Sequence, residues 1–275
     1  MKLNIPSDGT KIRHDGEKLV VPNNPIIPYI IGDGIGIDVT PVMKRVLDYA
    51  VNKAYGNTRE IKWLELYAGS NSEELYGSIL PEETIDAMKE YRISIKGPLT
   101  TPIGKGHKSI NVRIRQKLDL FACVRPIKYF PGTSTPMAES GLTDMVVFRE
   151  NTEDLYSGIE WEPNSPGAKR IIDFINKELG RSPFRFENNC GIGIKPVSEE
   201  GTKRLIRMAI DYSLAMNKSS ITIVHKGNIM KYTEGAFRDW AYDVVTNEYN
   251  GIIQKDGTYI ICLLYTSDAA DEVDR

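Results

Sequence analysis

Ile26-Ile-Pro-Tyr-Ile-Ile-Gly32-Asp-Gly-Ile-Gly36 is a β-rich apolar run that stops at glycine and feeds a helical pattern over residues 38–54. The same punctuation recurs along the chain. Residues 93–95 end in Lys96-Gly-Pro, 120–124 in Arg125-Pro, 145–148 in Arg149-Glu-Asn, and 221–224 in His225-Lys-Gly-Asn. Further helical patterns cover residues 81–91, 199–216 and 233–248. Strands alternating with helices of this length predict an α/β layered architecture with a substantially parallel sheet. Ligands of such sheets bind beyond the carboxyl ends of the strands, where these polar residues fall. The glycine turn itself reads Gly-x-Gly-x-Gly, so it does not meet the dinucleotide-binding spacing Gly-x-Gly-x-x-Gly. A tight strand-to-helix turn without a ligand explains it equally well.

Working outward, Ser109-Ile-Asn-Val-Arg-Ile-Arg115 carries the clearest binding chemistry, together with Arg125 and Arg149. Arginine keeps its charge and grips carboxylates with two parallel bonds. Three arginines beside Ser and Asn suggest a pocket for a small di- or tricarboxylate, although single arginines are usually solvated surface. The stretch alternates like a strand, but Ile110, Ile114 and Leu118 recur at helical spacing. A helix beginning near Ser109 is preferred. It sets Ser109 at a terminus that favours anions, with Asn111 and Arg115 on one face.

The chain has 275 residues, 41% hydrophobic and 26% charged, which suits a soluble protein of one large or two moderate domains. A net charge of −2 argues against nucleic acid or an anionic membrane as partner. No apolar run reaches the roughly 18 residues of a membrane span, and the N-terminus lacks a signal-peptide core. Cys123, Cys190 and Cys262 are few, scattered and odd in number, as expected in a reducing cytoplasm. Residues 158–189 are richer in Pro, Asn and charge, with one amphipathic helix at 168–179 and a short strand at 190–195. An excursion of this kind is expected to be a protruding arm or dimer element.

Several blocks together carry a resemblance. Ile30-Ile-Gly-Asp-Gly-Ile-Gly36, Lys96-Gly-Pro-Leu-Thr-Thr-Pro102, Ser109 to Arg115, Phe148-Arg-Glu-Asn-Thr-Glu-Asp-Leu-Tyr156-Ser-Gly-Ile-Glu160 and His225-Lys-Gly-Asn-Ile-Met-Lys231 resemble bacterial NADP-dependent isocitrate dehydrogenases. These belong to the isocitrate/isopropylmalate dehydrogenase family, and the resemblance runs from about residue 21 to about 249. It implies a two-domain α/β fold with a clasp arm. Residues 1–120 would be the N-terminal part of the large domain. Residues 121–153 and 199–260 would be the small domain, and 154–198 the clasp.

The resemblance also implies roles. Ser109 and Asn111 would bond the γ-carboxylate of isocitrate, and Arg115, Arg125 and Arg149 would pair with its carboxylates. Tyr156 would be the acid that protonates the enolate carbon after decarboxylation. Lys226, supplied by a second copy of the chain in a homodimer, would assist proton removal at the hydroxyl. Thr100 and Thr101 would lie near the nicotinamide of NADP. Ser109 would be a possible phosphorylation site, because a phosphate there repels the incoming carboxylate.

The tail from Cys262 to Arg275 looks foreign, and the resemblance ends near residue 253. Family members continue further, so the metal ligands for Mg2+ or Mn2+ and most of the cofactor site are expected beyond it, with an incomplete large domain and an inactive fragment here. Two other functions remain open. One is a related dehydrogenase of another 2-hydroxy acid. The other is a non-catalytic carboxylate-binding protein.

Overall fold

The structure is a computed structural model that describes residues 2–100, 109–180 and 184–261. The foreign-looking tail from Cys262 and the cofactor candidate Thr101 lie outside the described residues. Backbone contacts divide the chain into two compact units, Met1–Leu120 and Phe121–Arg275.

The first unit opens with a small antiparallel pair, β1 (Arg13–His14) and β2 (Leu19–Val20). It then runs β3 (Ile26–Ile30), α1 (Gly36–Tyr55), β4 (Lys62–Leu66), α2 (Ser70–Tyr76), α3 (Glu82–Tyr91), β5 (Ile95–Lys96) and α4 (Ile110–Lys117). The main sheet has the order β4-β3-β5, all parallel, with Ile30 opposite both Leu66 and Lys96. Every residue of β3 is buried, as a central parallel strand covered on both faces must be. Ile26, Ile30, Leu64, Leu66, Ile85, Met88 and Tyr91 form its core, and α4 adds Ile110 and Ile114. Burying each of these two isoleucines contributes about 1.5–3 kcal/mol, which settles the 109–120 stretch as helix.

In the second unit, β6 (Ala122–Lys128) pairs with β7 (Asp144–Glu150), and β8 (Ile159–Trp161) pairs with β9 (Ile192–Ile194). Between the latter two lies α5 (Pro166–Lys177). Then come α6 (Glu199–Ala215), α7 (Glu234–Asn247) and the short pair β10 (Ile252–Ile253) and β11 (Tyr259–Ile260). Ile206 and Ile210 of α6 pack on Ala241, Val244 and Val245 of α7. Ser198 caps α6, accepting from the Gly201 N–H at 3.0 Å. Among the described residues no helix is long and apolar enough to cross a membrane.

Two expectations are corrected. Among the described residues, parallel strand pairing is found in β4-β3-β5, with one isolated parallel bridge between Thr10 and Pro25, and the strand pairs of the second unit are antiparallel. The reason is local: residues 129–143 between β6 and β7 hold no α-helix, and a parallel return needs a crossover. Residues 221–224 form no strand, and Ile221 and Val224 are exposed. Their β-rich composition finds no neighbouring strand among the described residues, and β propensity without a partner does not make a strand.

Candidate functional site

In the first unit the candidate residues gather where β3 and β5 end. Gly32 has φ +93°, and a Cβ there would meet the Pro98 carbonyl oxygen at 2.2 Å. A Cβ on Gly97 would meet the Ile31 oxygen at 1.9 Å. These glycines let two loops touch backbone to backbone, so the Gly-x-Gly-x-Gly motif here serves packing. Asp33, 9% exposed, ties three loops together. Its carboxylate accepts the N–H of Ser70 at 2.9 Å and of Thr100 at 2.8 Å, while its own N–H donates to Pro98 O at 2.7 Å. Thr100 is thus fixed through its main chain, which leaves its exposed side chain available to a ligand.

Ser109 sits at the N-cap of α4 without capping it through its side chain. Asn111 and Arg115 follow on the same face, half-buried, while Ile110 and Ile114 turn into the core. Asn111 Oδ1 is buried without a hydrogen-bond partner, a cost that a ligand donor or water would remove. The sequence reading missed Lys96 at the end of β5. Desolvation, and then the positive Arg115, pull its ammonium below the usual lysine range, with Asp33 opposing. Its Nζ donates to Gly97 O at 2.7 Å. The signal was in the sequence: a lysine closing a strand immediately before Gly97. A lysine whose charge is opposed by a nearby arginine marks a positive corner suited to an anion.

The second unit holds Arg125, Arg149, Tyr156 and Lys226. The β6–β7 register pairs Cys123 with Arg149 and Arg125 with Val147. Cross-strand partners share a face and so do residues two apart, so Arg125 and Arg149 leave one face of the ribbon as diagonal neighbours. Arg149 Nη1 donates to Tyr156 Oη at 2.7 Å, and Nη2 donates to Asn151 Oδ1 at 2.8 Å. The guanidinium also lies 4.5 Å from the Tyr156 ring centre. Arg149 Nε is buried without a partner. Asn151, 3% exposed, is anchored by its N–H to Phe121 O at 2.9 Å. The neighbouring carboxylates are spent on structure. Glu150 accepts the N–H groups of Thr152 and Glu153 at 2.7 and 2.6 Å, and Glu153 accepts the Ser198 N–H at 2.9 Å. The turn bearing Tyr156 is therefore rigidly built.

Lys226 is exposed on the segment before α7. Its backbone N–H donates to Glu234 Oε2 at 2.9 Å, and the Glu234 carboxylate also pairs with Lys195. That pairing holds Glu234 below the usual carboxylate range. Asn111 and Arg115 thus share one face of α4, with Ser109 at its N-cap, Arg125, Arg149 and Tyr156 cluster in the second unit, and Lys226 stands on its own segment. Among the described residues no group of three or more His, Cys, Asp or Glu side chains could hold a metal.

The profile of the family described as isocitrate/isopropylmalate dehydrogenase matches residues 26–260. The chain is 53% identical over 274 residues to isocitrate dehydrogenase [NADP] 1 of Colwellia maris, covering 99% of this chain and 66% of that one. It is 51% identical over 262 residues to isocitrate dehydrogenase [NADP] of Pseudomonas aeruginosa, covering 94% and 63%. The crystal structure of isocitrate dehydrogenase from Methylococcus capsulatus superposes with a TM-score of 0.65 at 34% identity, over 82% of this chain and 57% of that one. The chain spans less than two thirds of the length of these curated relatives. A profile match over most of the chain and identity near one half leave one conclusion: the chain belongs to the isocitrate/isopropylmalate dehydrogenase family.

Proposed function

We propose that this chain provides the substrate-binding and acid–base residues of an NADP-dependent isocitrate dehydrogenase, which oxidises isocitrate to 2-oxoglutarate with loss of CO2. The observation that carries the reading is the Arg149–Tyr156 pair: a half-buried guanidinium, its Nε buried without a partner, hydrogen-bonded to a phenol. A carboxylate is the natural complement of that open donor. Ser109, Asn111 and Arg115 take one carboxylate of the substrate, and Arg125 and Arg149 take the others. NADP, when bound, would supply the acceptor for the hydride that leaves C2, with Thr100 and Thr101 as its proposed contacts. Lys226 accepts the hydroxyl proton as that carbon is oxidised. The resulting β-keto acid loses CO2, and Tyr156 delivers a proton to the enolate carbon. Because Arg149 donates to the phenol oxygen, the phenol's own proton is directed away from Arg149. Lys96, lowered and beside Arg115, adds positive charge to the same carboxylate corner. A divalent cation, Mg2+ or Mn2+, belongs to the proposal with ligands other than the residues described here.

The working form is a cytoplasmic homodimer in which residues 154–198 clasp a second copy and Lys226 serves that copy's site. Ile159, Phe174, Leu179, Phe186 and Ile194 are exposed along this stretch, an apolar surface that a second copy would cover. The free thiols of Cys123 and Cys190 fit a reducing compartment.

The test is isocitrate-dependent NADPH formation by the protein extended to its relatives' length, with isopropylmalate as the rival substrate. Arg149→Lys keeps the charge but loses the fork, and should lower kcat/KM by roughly 10²–10³-fold. Turnover of isopropylmalate in preference to isocitrate, or full activity in Arg149→Lys, would refute the assignment.

A further inference from the structure

One ammonium in the second unit joins the two segments that carry the proposed acid and base. Lys195 follows β9 directly, and its side chain is only 18% exposed. Its Nζ pairs with Asp154 Oδ1 at 3.2 Å and with Glu234 Oε1. Asp154 opens the 3-10 turn Asp154–Ser157 that holds Tyr156, and the same Oδ1 accepts the Leu155 N–H at 2.7 Å. The Asp154 N–H in turn donates to Pro196 O at 2.9 Å, so lysine and turn are also tied through the main chain. On the other side, Glu234 is the first residue of α7, and its second oxygen holds the Lys226 N–H at 2.9 Å. The ammonium thus bridges two carboxylates, each clamped on the backbone of a different segment. Desolvation works against the charge of Lys195, but the bonds to Glu234 and Asp154 outweigh it and hold its pKa above the usual lysine value.

We propose that Lys195 is a positioning residue, which through Asp154 and Glu234 braces both the Tyr156 turn, for this copy's site, and the Lys226 segment, for the site of the second copy. This rests on the acid and base roles assigned above to Tyr156 and Lys226. Charge-assisted bonds at both ends give the bridge the stiffness that catalytic positioning requires, since small misplacements of reacting groups are costly. Lys195 itself touches no reacting atom in this scheme.

Amide hydrogen exchange on the 275-residue chain tests the bridge directly. Lys195→Met should speed exchange at both Leu155 and Lys226 by roughly tenfold while α1 amides stay unchanged. Lys195→Arg should restore both to within about threefold, because a guanidinium can span the same two carboxylates. Glu234→Ala should free Lys226 alone. Unchanged exchange at both amides in Lys195→Met, or a response at only one, would overturn the proposal. Should Lys195→Met fail to fold, Asp154→Asn is read instead, with faster exchange at Leu155 and no change at Lys226. In the extended enzyme, Lys195→Met should lower kcat with an isocitrate KM within about threefold of the parent. Equal kcat in the two would sink the positioning role. An unsubstituted enzyme that never oxidises isocitrate would instead refute the proposed function, and the exchange experiment would still decide the bridge.

Discussion

Replacing Gly69 with alanine should cost the first unit more than any other single methyl added at a glycine turn of helix α2. Gly69 holds φ +84° and ψ −156°, a region that side-chain-bearing residues scarcely enter, and entering it costs about 1–3 kcal/mol. The added Cβ would also lie 2.5 Å from both oxygens of Asp33. That carboxylate cannot retreat and keep its two amide partners, Ser70 and Thr100. Losing one hydrogen bond to a charged group costs about 1.5–3 kcal/mol, so the total comes to about 2.5–6 kcal/mol. This is a large share of the roughly 5–15 kcal/mol that holds a domain together. Gly77 is the control. It has φ +68° with nothing within 4 Å of an added Cβ, so Gly77→Ala should cost only the left-handed strain, about 1–2 kcal/mol. Urea unfolding would be followed by the fluorescence of Trp63, whose ring packs edge-on to Tyr29 at 5.8 Å, after Trp161 and Trp240 are replaced by Phe. Adding Asp33→Ala removes the clash, so in that background Gly69→Ala should cost only its backbone strain. Equal costs for Gly69→Ala and Gly77→Ala, or an unchanged Gly69→Ala increment once Asp33 is gone, would refute the reasoning.

Acid should loosen the α6–α7 pair. Asp243 of α7 and Glu248 at its end are held below their usual range by Lys203 and Arg207 of α6. Their stabilisation is therefore full above the ordinary carboxylate pKa, about 4, and is lost as pH falls through the lowered folded values. Circular dichroism against pH should show earlier acid unfolding in Lys203→Met and Arg207→Met, and overlapping curves would contradict this. Ser109→Asp in the extended enzyme should raise the isocitrate KM sharply, by roughly tenfold or more, because a carboxylate at the head of α4 repels the substrate's own. An unchanged KM would remove Ser109 from the substrate site and weaken its candidacy for phosphorylation.

The elements legible in the sequence were those whose signal is local. Helices α3, α6 and α7 announced themselves by apolar spacing, and β3 by a continuous apolar run closed by glycine. The strand expected at 221–224 failed because pairing is a property of two segments, and its composition could speak only for one. The antiparallel β6–β7 ribbon was available in principle, since no helical pattern separates the two runs, but strand–helix alternation elsewhere drew the reading toward a parallel sheet. Within the candidate site, Arg125 and Arg149 were legible by their charge beside β-rich runs, although β6 continues through Arg125 to Lys128 rather than ending before it, as the sequence reading expected. Asp33, Glu153, Lys195 and Glu234 were not. Their partners lie up to 67 residues away, and an ordinary surface carboxylate looks the same in sequence as one that holds a loop.

Asp33 grips main-chain N–H groups, and such a grip is indifferent to the side chain each gripped residue carries. Positions 70 and 100 could be exchanged for other residues without loosening the loops they sit on, whereas Gly32, Gly69 and Gly97 admit nothing larger. The loop proposed to meet the cofactor is therefore free to change its chemistry on a frame that keeps its shape. The room for altered specificity here lies in the exposed side chains, and its boundary is drawn by three glycines and one carboxylate.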